Sequence, residues 1–142
     1  MTQYTLRLPA QQETQIRQHA ESTFPEECCG AMLGRDLEDG TREVVALHAV
    51  DNTKDENRER RYLIPPREVL AAEKAAREQG LDVVGIYHSH PNHPSRPSEF
   101  DREHAMPFWS YVIVSCMDGK SDALQSWRLR EDRSLFDEED LV

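Results

Sequence analysis

The chain has 142 residues and a formal net charge of −10, with 37% hydrophobic and 31% charged residues, which suits one domain around one core. An acidic balance argues against a nucleic-acid partner or a membrane-surface partner, because both require a basic surface. No apolar run approaches the roughly 20 residues that cross a bilayer. The start, MTQYTLRLPA, also lacks the pattern of a secretory signal, so we expect a cytoplasmic protein with reduced cysteines.

The first half of the chain predicts a strand, a helix and a hairpin. The strand covers 4–8, and a helix over 10–23 follows because Ile16, Ala20 and Phe24 recur at helical spacing. Beyond it the pattern predicts strands over 28–34 and 42–50 around a turn at Asp39-Gly40, and then a solvated charged loop over 51–61.

The second half predicts a central strand between two helices. A short strand covers 61–64, and an amphipathic helix over 67–79 follows two prolines, with Gly80 as its C-cap. The apolar run LDVVGIYHSH predicts a buried strand over 81–90. The remaining elements are a short helix over 98–106 and two antiparallel strands over 109–116 and 122–130, joined at Asp118-Gly119.

These elements predict an α/β fold: a single domain with a mixed β-sheet flanked by helices. A sheet of this kind needs a helix on at least one face to cover it. The domain covers 1–130. The acidic tail EDRSLFDEEDLV, at 131–142, is expected to be peripheral.

The segment GIYHSHPNHPSRPSEFD, at 85–101, carries the residues that predict chemistry. His88 and His90 point to the same side of a strand, because side chains alternate between faces with a period of two. Two imidazoles at a strand end are half of a zinc site, which a third ligand and an open position would complete. Asp101 is the expected third ligand, because a loop stiffened by three prolines returns it to the histidines.

A structural interpretation of the same residues stays open. Ser98 and Asp101 have the spacing of a helix capping pair, although the capping box prefers Glu or Gln at the last position. The remaining histidines are interpreted as ordinary surface residues: His19, His48, His93 and His104.

A metal site of this kind also needs a carboxylate that accepts a proton from water. The segment PEECCG offers Glu26 and Glu27, at the start of a strand expected beside 81–90. The pattern alone does not choose between the two.

The run HSHPNHPSRPSEFD resembles the motif of the JAMM (MPN-plus) metalloproteases, His-x-His-Pro followed by Pro-Ser-x-x-Asp. The segment PEECCGAMLG resembles the upstream element of that family, a Glu three residues before a Gly, and this spacing selects Glu27. The resemblance covers roughly residues 4–130 and implies a cytidine-deaminase-like fold.

The resemblance also implies a role for each motif residue. His88, His90 and Asp101 would bind Zn²⁺, Glu27 would accept the proton of a water molecule, and Ser98 would stabilise the oxyanion. Minimal bacterial members act on ubiquitin-like or sulfur-carrier proteins, which implies a C-terminal protein tail as the partner. Such a tail could add as a strand to a sheet edge.

Two other classes of function compete with a metallopeptidase. The first is a non-catalytic MPN-type binding module, which is typical of relatives that lack the ligands. The second is a zinc deaminase, but no Pro-Cys-x-x-Cys pattern follows a His-x-Glu here. The sequence leaves the oligomeric state and the physiological substrate open.

Overall fold

The computed structural model describes residues 4–54, 57–59 and 61–142. Within these residues, three helices and seven strands form one α/β domain, which confirms the predicted fold class. None of the helices in this part of the chain is long and apolar enough to cross a membrane. The elements are β1 (Thr5–Arg7), α1 (Ala10–Thr23), β2 (Cys29–Asp36), β3 (Thr41–Val50), α2 (Pro66–Glu78), β4 (Asp82–Pro91), α3 (Glu99–His104), β5 (Ser110–Met117), β6 (Lys120–Leu129) and β7 (Phe136–Leu141).

The strands form one mixed sheet in the order β1-β3-β2-β4-β5-β6-β7, which closes into a barrel through pairing of β7 with β1. Strand β4 lies between β2, which is antiparallel to it, and β5, which is parallel. The predicted central strand and its predicted neighbour are therefore confirmed. Because the order closes on itself, the described strands leave no terminal edge to which a peptide tail could add.

The two long helices cover opposite faces of this sheet. Helix α1 buries Ile16 and Ala20 against a cluster that contains Tyr87. Helix α2 buries Ala72 and Ala76 against a second cluster that contains the neighbouring Ile86. From Ile86 onward, alternation along β4 separates the two clusters. His88 and His90 have the parity of Ile86 and therefore face the α2 side.

A close approach between β2 and β4 accounts for the glycine of the PEECCG segment. Gly30 pairs with Tyr87, and a Cβ atom at position 30 would overlap the Tyr87 ring. At the start of β2, the Cys28 amide donates to Ser89 Oγ at 2.8 Å. Both contacts hold the residues that follow Glu27 firmly against β4.

The structure corrects the expectation of a peripheral tail. Phe136–Leu141 forms β7, which pairs with both β6 and β1 and so closes the sheet. Glu139 within it is only 2% exposed, and three hydrogen-bond donors satisfy its carboxylate. The acidic composition concealed a strand in which Asp137 pairs with Arg130 and Glu139 pairs with Arg128.

Two smaller predictions are also wrong. Residues 61–64 form no strand, and this segment instead runs as an irregular lead into α2. Gln79 is the C-cap of α2, and Gly80 follows it with a φ of 70°, the left-handed conformation that glycine adopts most easily.

Candidate active site

The predicted site residues meet at the C-terminal end of β4. The side chains of Glu27, His88, His90 and Asp101 are all buried, with exposed fractions of 0–6%. Glu27 arrives from the residues just before β2, the two histidines from β4, and Asp101 from the first turn of α3. Four residues spread over 75 positions of sequence therefore share one buried point.

Carboxylates flank the two imidazoles on both sides. The Asp101 oxygens lie 3.6 Å from His88 Nε2 and 3.1 Å from His90 Nε2. Glu27 Oε1 lies 3.4 Å from the other nitrogen of His88, Nδ1. One ligand atom each from Glu27, His88 and His90 lies within 4.8 Å of the other two. This donor set of imidazoles and carboxylates, all within a few ångströms, suits one divalent cation.

Three atoms of the cluster are buried without a hydrogen-bond partner among the described residues: Glu27 Oε1, His88 Nδ1 and His88 Nε2. A buried polar atom that lacks a partner costs free energy, so native structures rarely contain one without a reason. Two carboxylates buried in one cluster are costly for the same reason. A metal ion bound at one His88 nitrogen would satisfy that atom and offset the charge of the carboxylates, so the residues present fit such an ion.

Asp101 is held in its ionised form. Burial acts to raise its pKa, but the charge of His88 and the hydrogen bond from His90 outweigh it, and the pKa lies well below its usual range. For His90, burial acts to lower the pKa, but the hydrogen bond and charge of Asp101 raise it above the ordinary value.

A backbone carbonyl orients His90. Its Nδ1 lies 2.8 Å from the Pro94 carbonyl oxygen. A carbonyl can only accept, so Nδ1 carries a hydrogen, and Nε2 is the nitrogen that faces Asp101. This arrangement is the usual way to fix the tautomer of a metal-binding histidine.

Ser98 and Asp101 form the capping box that the sequence left open as an alternative. The Asp101 amide donates to Ser98 Oγ at 3.1 Å, and the Ser98 amide donates to Asp101 Oδ2 at 2.8 Å. The capping role and a role in the site are compatible. Because Oγ accepts the amide hydrogen, the Ser98 hydroxyl keeps its own hydrogen free to donate elsewhere.

The charged loop over 51–61 does more than connect two elements. The Glu27 amide donates to the Arg58 carbonyl at 2.6 Å, and Asn52 Nδ2 donates to the Glu27 carbonyl at 3.2 Å. Both contacts fix the backbone that carries the Glu27 carboxylate. Glu26, the other candidate base, is exposed. The interpretation as a plain solvated connection is therefore wrong for Asn52 and Arg58, and parts of the loop lie outside the described residues.

Two cavities adjoin the cluster and are lined by different residues. One of about 270 Å³ is lined by Glu27, His90, His93, Pro94, Arg96 and Ser98, so it opens directly onto the candidate base. The other, of about 500 Å³, is mainly apolar and includes Tyr62, Leu70, Phe100 and Trp109, with Asp101 on its wall. His93 and His104, interpreted from sequence as ordinary surface residues, line one cavity each.

Sequence reasoning missed Tyr62, whose ring stacks on His88 with 4.4 Å between ring centroids and 26° between the planes. Tyr62 lies in the segment predicted as a strand, 26 residues before His88. No local pattern links the two positions. Only the packing of this segment against the α2 side of the sheet brings them together.

Comparison with known proteins places this geometry in a family. The chain is 36% identical over 140 residues to the desampylase of Haloferax volcanii, covering 95% of this chain and 96% of that protein. It is 35% identical over 74 residues to a "Probable TtuB-protein conjugate cleaving protease" of Thermus thermophilus, covering 52% of this chain and 47% of that protein.

A solved structure shares the fold. The JAB1/MPN domain protein AF2198 of Archaeoglobus fulgidus matches with a TM-score of 0.55 and 18% identity, covering 99% of this chain and 97% of that one. The family described as prokaryotic homologs of the JAB domain matches residues 9–130. The chain therefore belongs to the prokaryotic JAB-domain family.

Proposed function

We propose that this chain is a zinc-dependent metallopeptidase that hydrolyses an amide or isopeptide bond at the C-terminal tail of a ubiquitin-like or sulfur-carrier protein. One observation carries the proposal: a fully buried cluster of two histidines and two carboxylates in which three polar atoms lack partners within the described chain. A non-catalytic binding module would have no use for a buried base beside a buried ligand set.

His88, His90 and Asp101 are the proposed zinc ligands. The Nε2 atoms of both histidines face Asp101, at 3.6 and 3.1 Å, so these three side chains converge on one side. Mixed imidazole and carboxylate ligation favours zinc among the common divalent ions. When bound, the ion supplies a Lewis acid that polarises the scissile carbonyl and makes a water molecule more acidic.

Glu27 is the proposed general base. It contacts His88 on the Nδ1 side, away from Asp101, so it stands beside the proposed ligand trio. Its carboxylate lines the smaller cavity, where a water molecule and a substrate amide can reach it. Glu27 takes the proton of the attacking water and afterwards passes it to the leaving amine, which has to depart as a neutral molecule.

Ser98 is the proposed oxyanion donor. Its hydroxyl hydrogen is free because Oγ accepts the Asp101 amide hydrogen, and the side chain lines the same cavity as Glu27. A donor preorganised by a helix cap needs no rearrangement as negative charge develops on the substrate carbonyl. The capping box therefore supports the chemistry and the helix together.

The substrate class comes from the relatives. The name of one describes cleavage of TtuB-protein conjugates, and the other is named a desampylase. A bond at the end of an extended tail suits this site, because the ligands are buried at 0–6% exposure and only a slender segment could reach them. The two adjoining cavities offer room for residues on either side of the scissile bond.

Two matched probes test the proposal. One is a ubiquitin-like protein joined through its C-terminal glycine to a lysine side chain, and the other is the same protein extended by one C-terminal amino acid. Intact-mass spectrometry follows both with the zinc-loaded wild type and with Glu27→Gln. Release of the intact ubiquitin-like protein from at least one probe by the wild type alone is expected. Failure to cleave either probe, with zinc bound, would leave the binding module as the better reading.

A further inference from the structure

The two histidines of the site are oriented in different ways. His90 donates through Nδ1 to the Pro94 carbonyl at 2.8 Å. His88 is fully buried, yet neither ring nitrogen has a hydrogen-bond partner among the described residues. Hydrogen bonding therefore does not set the orientation of the His88 ring, and packing must do so.

Tyr62 provides that packing. Its ring lies against the His88 ring in a nearly parallel stack, with 4.4 Å between centroids and 26° between planes. Among the described residues, the ring of His90 also lies near His88, but it is 5.2 Å away and tilted by 55°, so it does not stack on the His88 face. A stack on the face of an imidazole leaves both nitrogen edges open, one toward Asp101 and one toward Glu27.

We propose that Tyr62 is a positioning residue that orients His88 for metal binding through its aromatic face, in place of the usual hydrogen-bonded partner. The inference rests on the proposed function, since it concerns the same metal site. Residues that orient metal ligands typically change metal affinity by 10- to 100-fold when they are mutated. A stack is weaker than a charged hydrogen bond, so we expect about tenfold.

A different role for Tyr62 makes a different prediction. Tyr62 also lines the apolar cavity of about 500 Å³, where it could simply form part of the wall that contacts substrate. A wall residue would change KM and leave the affinity for zinc unchanged. A positioning residue changes the affinity for zinc in the absence of any substrate. Zinc affinity therefore separates the two roles, and it does so without an activity assay.

The experiment compares three variants with the wild type. Tyr62→Phe keeps the ring, Tyr62→Leu keeps apolar bulk without a ring, and Phe108→Leu removes a ring from an exposed aromatic that lines neither cavity of the site. The Kd for zinc is measured by competition with a chromophoric chelator. Thermal unfolding of each metal-free chain identifies any variant that has lost its fold.

Tyr62→Phe and Phe108→Leu should bind zinc within about twofold of the wild type, and Tyr62→Leu about tenfold more weakly. Should Tyr62→Leu not fold, Tyr62→Trp replaces it, and a larger ring that still stacks should keep the wild-type affinity. Zinc affinity of Tyr62→Leu within twofold of the wild type would overturn the inference, as would a Phe variant as weak as the Leu variant. Those results leave the proposed function intact, whereas a wild type that takes up no zinc overturns both.

Discussion

Two glutamates of this chain are equally buried and have opposite surroundings. Glu139 in β7 and Glu27 before β2 are both 2% exposed. Glu139 accepts hydrogen bonds from Ser126 at 2.6 Å, from Arg128 at 2.7 Å and from Ser110 at 3.1 Å. Glu27 Oε1 has no donor in the described chain, and it lies 3.4 Å from His88 Nδ1.

The satisfied glutamate belongs to a network that closes the sheet. Ser110 extends this network, because it donates to Glu139 and accepts from Arg42 at 3.0 Å. Arg42 also pairs with Asp36 at 2.8 Å. These contacts connect β2, β3, β5 and β7. A buried charged group whose hydrogen bonds are all made within the protein has a structural role. A buried charged group without such partners indicates a site for a ligand or a reaction. The comparison predicts different consequences for the same substitution at the two sites.

The largest expected effect is on catalysis at Glu27. Glu27→Gln should lower kcat by roughly 10³-fold, because general bases typically contribute 10²–10⁴-fold, and should leave zinc content unchanged. Turnover of the conjugate probe and elemental analysis measure the two quantities. Glu26→Gln, at the exposed neighbour, is the matched control. An active Glu27→Gln beside an inactive Glu26→Gln would show that the base has been misassigned.

A Glu-to-Gln substitution at Glu139, the site whose hydrogen bonds are all made, should lower the stability of the fold and leave catalysis unchanged. Glu139→Gln should lower the free energy of unfolding by about 3 kcal/mol, since breaking a buried ion pair leaves Arg128 without its partner. Urea denaturation of the metal-free chain measures this change. Zinc content and kcat should stay close to the wild type. Loss of zinc binding in folded Glu139→Gln would contradict the division into two separate regions.

Ser98 is expected to act in catalysis and to stabilise the fold. Ser98→Ala should lower kcat by roughly 10²-fold through loss of the oxyanion donor, and should destabilise α3 by about 1 kcal/mol through loss of the cap. Ser98→Thr retains the hydroxyl and should keep most of the wild-type kcat and most of the stability of α3. If Ala lowers stability and leaves kcat unchanged, Ser98 is a cap and nothing more.

Lowering the pH should affect the metal site before it affects the network around Glu139. We expect this to be the smallest of the four effects. Protons compete with zinc for histidine and carboxylate ligands, so zinc should be released as the pH falls below ~6. In the other region, the hydrogen bond from Arg42 lowers the pKa of Asp36. A carboxyl group whose pKa is lowered in the folded state stabilises the fold fully above its ordinary pKa near ~4. This contribution is lost only as the pH falls further, toward the lowered pKa. Between about pH 4 and pH 5.5 we expect a folded chain without zinc, measurable by circular dichroism and elemental analysis. Full zinc retention at pH 4.5 would count against the proposed ligands.

The sequence predicted the parts of the molecule that follow local rules. Strand β4 could be predicted from its apolar run, and His88 and His90 share a face because a strand has a period of two. The acidic strand β7 could not be predicted, because Glu139 is buried by partners on β5 and β6 that composition does not reveal. Tyr62 was missed for the same reason, since its contact with His88 depends on tertiary packing.

The most direct test of the central claim is the zinc content of the purified wild type beside His88→Ala. The account predicts about one zinc ion per chain in the wild type, and loss of that ion in the variant, because His88 is proposed as one of three protein ligands. A wild type that contains no zinc, and takes up none when it is added, would contradict the claim. The buried carboxylates and imidazoles would then need another explanation.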